Sequence, residues 1–138
     1  KRLKALDNNE LVEAIAVKYT DAAKQICLYA MMKQYRLVWD FMINVIGEKY
    51  RLKDYNFGQM DVNIFLIQLQ EQNDYVAGWS DTTIKRIRQV MIRILIENGY
   101  LDDNKADHIN PVWIDPILEN AIKNKGDVRA LTAFNCFS

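Results

Sequence analysis

Apolar residues recur at helical spacing through most of this chain, and few breakers interrupt them. From Asp81 to Asn98, the positions Ile84, Ile87, Val90, Met91, Ile94 and Leu95 follow one face of a 3.6-residue period, which predicts an amphipathic helix. Ser80 and Asp81 offer N-cap oxygens before it, and Gly99 stands where a helix takes its C′ glycine. A second amphipathic helix is expected over Arg36 to Leu52. Val38, Trp39, Phe41, Met42, Val45, Ile46 and Tyr50 form its apolar face, opposite Asp40, Asn44, Gly47, Glu48 and Arg51. A third is expected from Gln59 to Gln72, with Met60, Ile64, Phe65, Ile67 and Leu69 turned inward.

Upstream, the pattern divides in two. A helix is expected near Glu10 to Val17; Thr20 then reads as an N-cap, with Asp21 in the first turn of a helix reaching Gln34. That helix is apolar almost all round, through Ala22, Ala23, Ile26, Cys27, Leu28, Ala30, Met31 and Met32, so it should be central. Cys27 reads as a small buried hydrophobe.

Downstream, Tyr100-Leu101 and Ile109 to Ile114 are expected to pair as a β-hairpin turning at Asp102-Asp103-Asn104-Lys105, with Pro111 on an edge strand. Asp115 caps a short helix with Pro116 at its first position; Gly126 ends it, and a last short helix is expected over Val128 to Asn135. The expected fold is therefore mainly α: one compact helical bundle over residues 1–138. Its C-terminal half, about residues 59–115, runs helix, loop, longer helix, hairpin, which is the order of a winged helix-turn-helix. Trp39, Phe41 and Ile94 should be largely buried, and Arg86 and Arg93 exposed.

Composition narrows the function classes. With 138 residues, half of them hydrophobic, and only five Gly and two Pro, the chain is of globular type. Two cysteines cannot build a disulfide framework, which favours a reducing compartment. The longest unbroken apolar run, Ile26 to Met32, is seven residues, far short of the roughly 20 a membrane helix needs. A first residue that is Lys rather than Met, followed directly by helical pattern at Lys1 to Lys4, leads us to expect that the natural N-terminal segment is missing.

Eighteen basic and eighteen acidic side chains cancel overall, but not locally. Residues 54–84 carry five acids and no base, and residues 97–119 carry six acids against Lys105. Between them, Lys85, Arg86, Arg88 and Arg93 occur with no acid until Glu97. At about 100° per residue, Arg86, Gln89 and Arg93 share a sector of about 60° opposite the apolar face, with Lys85 at its flank, Arg88 nearer the apolar edge and Thr83 at the helix start. A helix with mixed charges would gain i,i+4 pairs, so an unmixed basic face invites an anionic partner. Such a recognition helix neutralises phosphates with Lys and Arg, and reads base edges with Arg and Gln. A basic solvated face remains the commonest explanation of four such charges, since any amphipathic helix needs a polar face and Lys and Arg are good helix formers. Lys49, Arg51 and Lys53, with Lys33 and Arg36 upstream and Tyr35, Tyr50 and Tyr55 interleaved, form a second basic group, whose tyrosines could stack on nucleotides or anchor helix ends.

Enzyme chemistry is not expected. His108 is the only histidine; there is no CxxC, no Gly-rich phosphate loop, no GxSxG and no HExxH. No metal, cofactor or small-molecule substrate is therefore expected.

The run from Trp79 through Ser80-Asp81-Thr82-Thr83-Ile84-Lys85-Arg86-Ile87-Arg88-Gln89-Val90 to Arg93-Ile94-Leu95 and Gly99-Tyr100-Leu101 resembles the BrxA family of bacterial BREX phage-defence systems. Arg36 to Phe41, Glu48 to Arg51 and Ile109 to Val112 extend the resemblance in the same order. It implies a small cytoplasmic helical protein working with other defence subunits, with double-stranded DNA as ligand; that no membrane is involved is expected from the short apolar runs alone. It also implies a further N-terminal helical stretch, and enzymology left to partner proteins. The matching positions that could touch DNA are Thr83, Lys85, Arg86, Arg88, Gln89 and Arg93, with Lys49 and Arg51. The alternative is a protein–protein adaptor without DNA contact.

Overall fold

The computed structural model of the chain describes residues 9–137, with side chains from residue 22 onward. The helical pattern expected at Lys1 to Lys4 lies outside the described residues. Helices hold well over half of those that are described: α1 (Asn9–Gln34), α2 (Arg36–Phe41), a π-helical turn (Met42–Gly47), α3 (Glu48–Leu52), α4 (Gln59–Gln72), α5 (Asp74–Ala77), α6 (Asp81–Glu97), α7 (Pro116–Lys125) and a 3₁₀ segment (Val128–Phe134).

The expected break at Thr20 is absent, because α1 runs unbroken through it. A mid-chain Thr costs a helix only a few tenths of a kcal/mol, and no Gly or Pro is present to stop propagation. Nor is the described part of α1 buried all round. Leu28, Tyr29 and Met32 face the core, whereas Ile26 and Cys27 are exposed, correcting the reading of Cys27 as a buried hydrophobe.

The helix expected over Arg36 to Leu52 has those bounds, but a π turn sits in its middle. The wider turn rotates the faces, so Ile43 and Gly47 join Phe41, Met42, Ile46 and Tyr50 in the interior. The 3₁₀ segment packs on this turn, contributing Ala130, Leu131, Ala133 and Phe134. Gly47 is required there: a Cβ on it would stand 2.5 Å from Thr132 Oγ1.

The caps behave as the residue types dictate. Ser80 Oγ accepts from the Thr83 amide at 3.2 Å, Asp115 Oδ1 accepts from the Ile117 amide at 2.9 Å, and Gly99 and Gly126 adopt left-handed φ of 82° and 77°.

The hairpin and the winged helix-turn-helix are not formed. Among the described residues there is no strand, only one antiparallel bridge, Asn56 to His108. Residues 100–115 instead form an irregular strap. The Ile109 amide donates to Tyr55 O at 2.8 Å and the Phe57 amide to Asp107 O at 3.0 Å, so the strap pairs with the α3–α4 connection. Tyr100 and Tyr50, both buried, pin it with their hydroxyls on Ala133 O and Asn110 O, at 2.7 Å and 2.5 Å. Asn110 keeps one backbone bond to Tyr100 O, but its side chain bonds Gly99 O and Asp102 where a second rung would form. Pro111 then lacks the donor for another.

Candidate nucleic-acid interface

α6 follows directly from its sequence. Met91, Ile92, Ile94 and Leu95 are buried, with Ile84 and Ile87 packed against the core; Val90, expected with them, is exposed. The opposite face presents Lys85, Arg86, Gln89 and Arg93 to solvent. Among the described residues, none of these three cations makes an ion pair, so their charge is directed outward.

The other expected contributors are engaged elsewhere. Arg88 is half-buried and donates to Asn63 Oδ1 of α4 at 2.9 Å. Thr83 Oγ1 lies 3.0 Å from Ser80 Oγ, within the N-cap. Lys49, with its side chain only 15% exposed, pairs with Asp61 at 3.3 Å and Asp54 at 3.6 Å. Arg51 holds both carboxylate oxygens of Glu48, which draws the Glu48 carboxyl below its ordinary range. Lys49 and Arg51 are thus neutralised by neighbours three to twelve residues away, while Lys53 is exposed; on α6 the structure brings together Lys85, Arg86, Gln89 and Arg93.

Beside this face runs a groove of about 690 Å³ between α6, the start of α4 and the strap. Lys85, Arg88, Gln89 and Arg93 line one wall, while Gln59 and Asn104 supply amides from the other side, with Ile92 and Ile96 below. Gln59 Nε2 donates to Asn104 O at 3.2 Å, closing that end. Sequence reasoning missed Gln59 and Asn104, because no local spacing links residues 59 and 104 to a helix at 85–93.

The positive face suits a phosphate backbone: three separated cations and a glutamine lie on one rigid helix. Glu97, also in the groove, limits it, since a carboxylate repels phosphate and only base edges or cations are welcome there.

A largely α-helical protein with one electropositive helix beside a polar groove is the class that fold and site define. The chain belongs to the BrxA family, whose profile matches residues 1–126. It is 40% identical over 106 residues to the BREX protein BrxA of Bacillus cereus (strain H3081.97), covering 77% of this chain and 52% of that protein. It is 26% identical over 105 residues to the BREX protein BrxA of Paramagnetospirillum magneticum (strain ATCC 700264 / AMB-1), covering 76% and 53%. The chain therefore spans about half the length of the curated relatives it matches.

Proposed function

We propose that this protein is a non-enzymatic, cytoplasmic subunit of a BREX phage-defence system that contacts duplex DNA through α6. One observation carries the reading: Lys85, Arg86 and Arg93 are exposed on a single helix face and make no ion pair among the described residues. Family membership supports a role alongside other BREX subunits, which would supply any catalysis. That no described helix is long and apolar enough to cross a membrane is compatible with it.

Gel-shift titration on duplex DNA at two salt concentrations tests the reading. Each phosphate contact contributes a slope of about −0.9 in log affinity against log salt, so three contacts should weaken binding severalfold when salt is doubled. No retardation at low salt would overturn it.

A second reading, the protein–protein adaptor, has its own support. Met60, Ile64 and Ile67, expected in the core, are 72%, 47% and 55% exposed at i, i+4 and i+7 on α4, while Val62 and Leu66 are buried beside the expected Phe65. Exposed Glu71 continues that stripe, and exposed Asp74 follows it. This surface suits an apolar, basic segment of another subunit. Loss of co-purification with such a subunit on Ile64→Asp, with DNA binding absent, would favour the adaptor.

A further inference from the structure

A second hollow opens beyond the C-terminal end of the basic groove. Ile96 and Glu97 line both concavities, so the two lie on either side of the same helical turn. The hollow is bounded by Lys24 and Gln25 of α1, by Gly99 and by Trp113 of the strap. Its volume, about 400 Å³, is that of a small-ligand site.

Trp113 is 80% exposed, the most exposed of the large apolar side chains in the described structure. Its backbone is nevertheless fixed. Gln25 Nε2 donates to Trp113 O at 2.8 Å, and Gln25 Oε1 accepts from the Asp115 amide at 2.8 Å. One side-chain amide thus clamps both ends of the Trp113–Asp115 segment, and Asn135 Nδ2 holds Val112 O at 3.4 Å. The indole is left in water on an anchored backbone, which lowers the ordering cost of stacking against it. Lys24 is exposed and has no ion pair among the described residues.

An exposed aromatic ring beside an exposed lysine, at the end of a cationic track, is the composition of a platform for an unpaired base. We propose that Trp113 stacks on one unpaired base of a nucleic acid whose backbone lies along α6, with Lys24 taking an adjacent phosphate. This rests on the reading of α6 as a nucleic-acid face. Glu97 stands between the two sites and favours the same geometry. Its carboxylate turns phosphate away, but accepts a hydrogen bond from an exocyclic amine, so at this point a base faces the protein and the backbone swings outward.

Two duplexes test the proposal, one fully paired and one carrying a single unpaired 2-aminopurine, whose fluorescence falls on stacking. The parent should bind the second more tightly, by roughly 5- to 100-fold for one stacked base, and quench it. Trp113→Ala should abolish the preference and the quenching while leaving affinity for the paired duplex unchanged. Trp113→Phe should retain part of both. Lys24→Glu should weaken only the bulged complex, and serves as the second test if Trp113→Ala does not fold. A parent that binds both duplexes equally without quenching, or a folded Trp113→Ala that keeps the preference, overturns the proposal and leaves the α6 reading standing. A parent that binds neither duplex overturns both.

Discussion

Arg88 donates to Asn63 Oδ1 at 2.9 Å, joining α6 to α4 across twenty-five residues of chain. That bond separates one member of the basic cluster from the rest. Arg88→Ala should lower stability by about 1 kcal/mol by removing this charge-assisted bond. The melting temperature, followed by circular dichroism, should fall by about 4 °C. The salt slope of DNA binding should change by less than one unit, because the half-buried guanidinium is turned toward Asn63 and is less available to a phosphate than Arg86 or Arg93.

Arg86 and Arg93 should behave in the opposite way. Both are exposed and unpaired among the described residues, so Arg86→Glu with Arg93→Glu should leave the melting temperature nearly unchanged. DNA affinity should fall, and the salt slope should shrink by about one unit for each phosphate no longer neutralised. A folded double variant with parental affinity and slope would remove α6 from the interface.

Gly47 tests the packing of the π turn on the 3₁₀ segment. In an open helix, Gly→Ala would stabilise by about 1 kcal/mol. Here the new Cβ would meet Thr132 Oγ1 at 2.5 Å and Thr132 Cβ at 3.1 Å, so Gly47→Ala should instead destabilise by about 1–3 kcal/mol. Adding Thr132→Ala removes the closer clash and should recover part of that stability in urea denaturation.

Asp127 gives a pH dependence. Its carboxylate accepts from Lys33 Nζ and from Tyr29 Oη, each at 2.6 Å, which holds it below the ordinary range of about 3.9. Burial first, and Asp127 second, push Tyr29 up to about 12. A depressed carboxylate stabilises the fold above its unfolded pKa, and that contribution is lost as pH falls through the folded value. Asp127→Asn should therefore melt below the parent at pH 7, and the gap should close as pH drops below about 4. A gap that persists at low pH would show that packing, not charge, is what the substitution removed.

Local signals were legible wherever local physics decides. Ser80, Asp115, Gly99 and Gly126 mark helix ends because the orphan amides and carbonyls there can be satisfied only by nearby oxygens or a left-handed residue. Phe41 and Ile94 are buried as their spacing requires, with Trp39 packed against the core's edge. The basic face of α6 follows the same rule, since a helix wheel fixes which side chains oppose an apolar stripe. On α4 the wheel placed Phe65 and Leu69 correctly but not Met60, Ile64 and Ile67. Its residues are apolar over more than one face, and which face is inward depends on what α6 and the strap present to it.

The sequence by itself determined that the chain is mainly helical, where most of its helices end, and that its unmixed positive charge gathers on one of them, because these follow from backbone geometry and residues a few positions apart. Only the tertiary structure decided that residues 100–115 form a strap and not a hairpin. Strand pairing is a contest between partners, and the α3–α4 connection competed successfully: Tyr55 O accepts from the Ile109 amide and the Phe57 amide donates to Asp107 O. It likewise decided which charges stay available, neutralising Lys49 and Arg51 while leaving Lys85, Arg86 and Arg93 outward, and it set Trp113 beside Lys24 across nearly ninety residues of chain. Such pairings depend on distances that no periodicity encodes, since side chains far apart in the chain meet only after the core has fixed the helices that carry them.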